Sequence, residues 1–197
     1  MKIADVHITR SVLPKIDKDW KFALRAEPYY RGWILTIQTE DGTLGYGYGA
    51  AQAQYGSPME GVGKTLEMFR DELIGGDSRE IAAIMFHLDR LVVANNQAKS
   101  AVDGALHDLK AKRLGVPTCE LFGGAAKTEF RALRILPIKK PHEMAANARA
   151  LFDKGVRDFK IKVHGDIDED VACVAAIREE VGPEAHLTVD EIGRAHV

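Results

Sequence analysis

Cysteine is scarce in this chain of 197 residues: there are two, Cys119 and Cys173, far apart and in no CxxC pair. Reduced thiols in a cytoplasmic protein are the expectation. No apolar run approaches the ~18 residues of a membrane span. The start, Met1-Lys2-Ile3-Ala4-Asp5, reads straight into a strand and lacks the apolar core of a signal peptide. No membrane partner is expected. Neither sign of charge prevails, with Lys plus Arg at 27 against Asp plus Glu at 29 and a net of -2. That balance speaks against a basic nucleic-acid binder. No low-complexity segment is visible. What is present is ordinary globular composition, 46% hydrophobic and 28% charged, which excludes a disordered or collagen-like chain. At roughly 150 residues per domain the length fits one or two domains.

The first fifty residues read as β. Ile3, Val6 and Ile8 begin a strand that Pro14 ends. Residues Lys15 to Arg31 are polar with interspersed aromatics and read as a long loop or an open hairpin tip. Trp33 to Thr39 is rich in β-branched residues, Glu40-Asp41-Gly42-Thr43 predicts a tight turn, and Leu44 to Tyr48 returns. Helical stripes follow over 62–73, from a start signal at Asp77-Ser78, and over 98–114, where Gly115 and Pro117 stop the pattern. Gly123-Gly124 predicts a division into two domains, 1–125 and 126–197. After it, strands at 131–138, 157–163 and 185–190 alternate with helices at 141–155 and 167–181, which predicts parallel βα units.

Side chains two apart on a strand share a face. In Phe159-Lys160-Ile161-Lys162-Val163 the apolar residues take one face and both lysines the other. If helices cover the apolar face of a β/α barrel, the lysines point inward near the C-terminal mouth, where active sites lie. Two ammonium groups about 7 Å apart disfavour each other's charge, and partial burial adds to that effect. A lysine so tuned serves as a general base near neutral pH. An edge strand with a solvated lysine face accounts for the pattern equally well. In the last strand His186, Thr188 and Asp190 share the polar face. A carboxylate at Asp190 suits a hard divalent cation, although taken alone a turn or helix-capping aspartate is the commoner use.

Three stretches in order carry a specific resemblance. They are Lys160-Ile161-Lys162-Val163 with Gly165; Leu187-Thr188-Val189-Asp190; and the helix Ser100 to Lys112 with Leu114-Gly115-Val116-Pro117 and Leu121-Phe122-Gly123-Gly124. Together they resemble the mandelate racemase and muconate lactonizing enzyme branch of the enolase superfamily, from Lys2 to Asp190. The resemblance implies an α+β capping domain, an antiparallel meander plus helices, followed by the first strands of an incomplete (β/α) TIM-type barrel. It implies abstraction of the proton α to a small-molecule carboxylate, with Mg²⁺ stabilising the enediolate, a chemistry general to this superfamily. By the same resemblance Lys162 is the acid/base, Lys160 its electrostatic partner, and Asp190 the first of three carboxylate metal ligands. Trp20, Tyr29, Gln54 and Tyr55 are implied to face substrate and set specificity, and the full-length form is implied to be a homo-oligomer. Racemase or epimerase, cycloisomerase and dehydratase all remain open.

The chain also departs from the pattern. Gly45-Tyr46-Gly47-Tyr48 stands where the family often has Gly-Trp-Gly-Glu. Glu191-Ile192 follows Asp190 where Ala-Asn is usual, which reads as a foreign or frameshifted tail. The Gly45-x-Gly47-x-Gly49 spacing follows a hairpin strand, the wrong context for a nucleotide site. Asp103 and His107, four apart on a helix, read as a hydrogen-bonded pair before they read as metal ligands. A barrel takes about 250 residues, and only about 67 follow Phe130. The expectation is therefore a chain inactive by itself; the alternative is a non-catalytic remnant or an oligomerising or binding domain. The third strand would present an unpaired edge and uncovered apolar surface.

Overall fold

The computed structural model describes residues 1–22 and 25–190, with the backbone alone at Phe22, Arg25 and Tyr55. In chain order its elements are β1 (Ile3–Pro14), β2 (Lys21–Phe22), β3 (Arg25–Ala26), β4 (Tyr29–Thr39), β5 (Leu44–Ala50), α1 (Met59–Leu73), α2 (Ile81–Leu91) and α3 (Asn96–Leu114). There follow β6 (Leu133–Leu136), α4 (Pro141–Phe152), β7 (Asp158–Lys162), α5 (Ile167–Val181) and β8 (His186–Asp190). They form two compact units. One joins Met1–Leu13 to Tyr30–Ala126, and the other joins Pro14–Tyr29 to the chain from Lys127 onward. By contacts, residues Pro14–Tyr29 group with the later part of the chain, whereas the division expected from sequence falls after residue 125.

In the first unit the sheet order is β1-β4-β5. The antiparallel β4–β5 hairpin closes on Asp41-Gly42, as the sequence predicts, with Gly42 at φ +82. Asp41 Oδ1 accepts from Thr39 Oγ1 at 2.6 Å and from Thr43 N at 3.2 Å, which fixes the turn. Val6, Leu35 and Ile37 from the sheet meet Leu66, Phe69, Leu88, Val102 and Leu106 from the helices in one core. The glycines of β5 are there for packing. A Cβ on Gly47 would sit 1.8 Å from the carbonyl oxygen of Ala101, and one on Gly45 would sit 2.3 Å from that of Ala105. Only bare backbone lets α3 lie this close to the strand. Asp108 and Lys112 on α3 tie down the same strand: Asp108 Oδ2 accepts from Tyr46 N at 2.9 Å, and Lys112 Nζ donates to Leu44 O at 2.7 Å.

One local expectation changes, and the Asp103–His107 reading holds. The start signal Asp77-Ser78 does not cap α2, which begins at Ile81. Asp77 instead takes the terminal ammonium of Met1 at 2.6 Å and Arg79 Nε at 2.9 Å, and Ser78 Oγ donates to Met1 O at 3.0 Å. Anchoring the chain start beside β1 outweighs a helix cap. His107 Nδ1 lies 2.9 Å from Asp103 O and 3.3 Å from Asp103 Oδ1, its ring against Phe122 at 5.0 Å. This is a hydrogen-bonded pair on one helix.

In the second unit β6, β7 and β8 run parallel in that order, with Lys160 in register with Ile135 on one side and Thr188 on the other. Helices α4 and α5 cover one face, where Leu136, Met144, Ala148, Phe159, Ile161 and Ile177 are buried together. Asp166 caps α5 by accepting from Glu169 N at 3.2 Å, and Gly182 at φ 72 ends it. Of the two readings for residues 15–31, the described ones take the hairpin. Lys15 N donates to Pro28 O at 2.8 Å, Glu27 N donates to Trp20 O at 2.9 Å, and the short β2–β3 hairpin lies between. The hairpin docks on the sheet of its own unit through Ile138 N donating to Lys21 O at 3.4 Å and a Lys139–Asp17 ion pair at 2.9 Å.

Candidate active site

The alternation of β7 sets the site. Phe159 and Ile161 go under the helices, so Lys160 and Lys162 stand on the opposite face. The parallel register places Asp190 beside Lys162, and Thr188 beside Lys160, on that face. Both lysines converge on one atom: Asp190 Oδ2 accepts from Lys160 Nζ at 2.8 Å and also from Lys162 Nζ. The Lys162 and Asp190 side chains are nearly enclosed, at 12% and 14% exposure, whereas Lys160 keeps 32%. Burial pushes the Asp190 carboxyl upward, but the hydrogen bonds and charges of Lys160 and Lys162 together outweigh it and hold the group below the ordinary carboxylate range. The sequence sets the two lysines against each other; the structure inserts a carboxylate between them.

One layer below, Asp158 Oδ1 lies 3.8 Å from His186 Nδ1, and Asp158 Oδ2 is buried with no hydrogen-bond partner among the described residues. Ile135, in register with Lys160, adds an apolar, partly exposed surface on the same face. Neither Asp158 nor Ile135 was signalled by a motif. Strand alternation would have found Asp158, two residues before Lys160. On the helix-covered face, Val163, Val171, Val174, Leu187 and Val189 line an apolar groove of ≈ 810 Å³, the uncovered surface the sequence foretold.

Asp190 is a hard oxygen ligand of the kind magnesium takes. Among the described residues no group of three His, Cys, Asp or Glu side chains is placed to hold a metal ion. One carboxylate, with an oxygen shared by two ammonium groups, does not by itself make a magnesium site. Of the expected specificity residues, Trp20 and Tyr29 belong to the unit that holds the lysines and Gln54 to the other. Trp20 is half-buried under Lys15 Nζ, 4.9 Å from its ring centre, and Tyr29 opens β4. The Tyr55 side chain lies outside the described residues. No described helix is long and apolar enough to cross a membrane.

Comparison with known proteins bears on the family and the fold. The family model "Mandelate racemase / muconate lactonizing enzyme, N-terminal domain" matches residues 8–123, and "Enolase C-terminal domain-like" matches 143–197, running past Asp190 where the motif resemblance ends. An N-succinyl-L-Arg/Lys racemase of Bacillus cereus is 31% identical over 96% of this chain and 52% of its own length. Muconate cycloisomerase 1 of Pseudomonas putida is 30% identical over 90% of this chain and 49% of its own. The crystal structure of a dipeptide epimerase from Enterococcus faecalis, complexed with Mg and L-Leu-L-Tyr, superimposes with a TM-score of 0.91 at 32% identity, covering 98% of this chain and 54% of that one. The chain spans about half the length of the relatives it matches. With both family models on one chain and the lysine strand in place, this protein belongs to the mandelate racemase/muconate lactonizing enzyme branch of the enolase superfamily.

Proposed function

We propose that this chain is the N-terminal part of an enzyme that removes the proton α to the carboxylate of an acylated amino acid or dipeptide, as a racemase or epimerase. The observation that carries the reading is the convergence of Lys160 and Lys162 on Asp190 at the C-terminal ends of β7 and β8. Racemases and epimerases among the relatives support it. Lys162, the more enclosed lysine, is the base. As the free amine it takes the α-proton on Nζ, and the electron pair of the broken C–H bond moves into the carboxylate as an enediolate. Lys160 stays charged and lies against the carboxylate where that charge grows. A dependence on magnesium in the complete enzyme belongs to the proposal, with Asp190 as one ligand.

Alone, the 197 residues are proposed to be inactive, because the described residues offer no acid for the opposite face of the substrate. In the complete enzyme, Lys162→Ala lowers racemisation followed by polarimetry by about 10²–10⁴-fold, the usual contribution of a general base. A loss under tenfold sinks the base assignment, and racemisation by the purified 197-residue chain sinks the claim of inactivity. EDTA that leaves turnover intact removes magnesium from the proposal. The free cysteines, Cys119 exposed and Cys173 buried, suit the reducing cytoplasm in which we place the protein. A second reading, a non-catalytic oligomerising domain, draws on the apolar groove beside β8. Sedimentation showing a monomer at every concentration across a hundredfold range removes it.

A further inference from the structure

The four residues that follow β7 are held one by one, and most of the hold comes from α5. Val163, next to Lys162, donates its N–H to Asp190 O at 3.4 Å and so keeps to the sheet. Beyond it the chain turns at Gly165, whose φ of 92 is a conformation that glycine takes without steric cost. A glycine turn left to itself is also the loosest kind of link. Here it is clamped. Asp170 Oδ1 accepts from His164 N at 3.2 Å, and Asp170 Oδ2 accepts from Gly165 N at 2.8 Å. His164 Nδ1 accepts from Asp166 N at 3.2 Å, which leaves its Nε2–H for Glu169 at 3.1 Å.

An acidic residue in the first turn of a helix ordinarily serves the helix itself, as a cap or against the dipole. In α5 the cap is already supplied by Asp166, which accepts from Glu169 N at 3.2 Å. Asp170 is used differently. Both of its oxygens are spent on the strand end, and its side chain is enclosed, at 17% exposure. Its backbone is fixed as well: Asp170 N donates to Asp166 O at 2.8 Å, on a helix whose Cys173, Ile177 and Val181 are buried in the core of this unit. Hydrogen bonds from N–H groups to a carboxylate are stronger than those between neutral groups. A rigid helix, a carboxylate and two successive N–H groups thus lead from the core to within two residues of Lys162.

We infer that Asp170 is a positioning residue for the proton transfer: by holding His164 and Gly165 it sets where the end of β7 places Lys162 Nζ. The inference rests on the reading of Lys162 as the base on one face of the substrate. Proton transfer is steep in this placement, and a displacement of about 1 Å costs on the order of a hundredfold. Without the clamp, transfer at Lys162 slows by about tenfold to a hundredfold, while a group acting on the opposite face of the substrate keeps its rate.

The test is α-proton exchange in D₂O by the complete enzyme, with each enantiomer of one N-acyl amino acid followed separately by proton NMR. Lys162→Ala first identifies the enantiomer that Lys162 serves. In Asp170→Ala, exchange of that enantiomer falls by about tenfold to a hundredfold relative to its mirror image. In Asp170→Asn, which keeps the size of the side chain and one acceptor, the ratio moves the same way by less. The ratio is read because a smaller folded fraction lowers both rates equally, and Asp170→Asn decides if Asp170→Ala does not fold. Asp168→Asn removes an exposed charge from the same turn of α5; Asp168 makes no hydrogen bond to the loop among the described residues, and the ratio stays unchanged. A ratio that keeps its wild-type value in the folded Asp170 variants, or one that Asp168→Asn shifts as far, overturns the inference while Lys162 still serves one enantiomer. If Lys162→Ala spares both enantiomers, the base reading fails and the inference falls with it.

Discussion

Replacing the three charges at the site one by one tests whether they act as a unit. Asp190 Oδ2 accepts from both lysines, and at an effective dielectric constant of about 20 unit charges 2.8 Å apart attract by roughly 6 kcal/mol before desolvation. Desolvation offsets most of that. For the more enclosed pair, Lys162 with Asp190, a net coupling of about 1–3 kcal/mol remains; for Lys160, a third exposed, about 0.3–1 kcal/mol. The assay is a double-mutant cycle by urea denaturation, using Lys162→Met, Lys160→Met and Asp190→Asn singly and in pairs. With a slope of about 1–3 kcal/mol per molar urea, the larger coupling moves the midpoint by about 1 M. Asp190→Asn alone is the most harmful single change, because it leaves two ammonium groups facing each other without their counter-charge. Coupling below about 0.3 kcal/mol in both cycles, or a larger value for Lys160 than for Lys162, refutes the reasoning.

Other outcomes follow from the fold. Gly47→Ala forces α3 off the strand and costs about 3 kcal/mol or more, whereas Gly104→Ala, whose new Cβ meets only Gly47 Cα at 3.8 Å, is neutral or stabilising by up to about 1 kcal/mol in the same denaturation assay. Asp89→Ala takes from Lys99 its partner at 2.8 Å; with Asp89 itself 63% exposed and screened by solvent, the cost is about 0.5–1 kcal/mol, read as a slightly lower thermal midpoint. The hydrogen bonds from Arg79, with those from the terminal ammonium, hold the Asp77 carboxyl well below the ordinary carboxylate range. Its contribution is therefore present above about pH 4 and is lost as pH falls toward its depressed value in the folded chain. Asp77→Asn flattens that acid limb in a pH series of thermal melts.

The strands and helices with strong periods were legible before the structure, and so was the face they bury. The Phe159 to Val163 alternation placed the lysines opposite the helices, and α5 occupies the predicted residues. The sharing of Asp190 by both lysines was not legible. It depends on the register between β7 and β8, a tertiary property of two segments 28 residues apart in sequence. The β2–β3 hairpin was legible only as one of two readings, a long loop or an open hairpin tip, because strands of two residues have no period to read. Asp77 was misread because a local capping rule competes with a distant partner, and here the chain terminus won. The β5 glycines stand in the wrong context for a nucleotide site; their cause, the close approach of α3 at Ala101 and Ala105, lies far along the chain and is not visible locally.

Proton abstraction itself can be watched without waiting for the proton's return. A single enantiomer of an N-acyl amino acid in D₂O, followed by proton NMR, loses its Cα–H signal whenever the base on one face works, even if configuration is retained. In the complete enzyme the Cα–H signal of either enantiomer is lost with the wild type, and Lys162→Ala slows the exchange of one of the two about 10²–10⁴-fold. Exchange at an unchanged rate for both enantiomers in Lys162→Ala contradicts the base assignment.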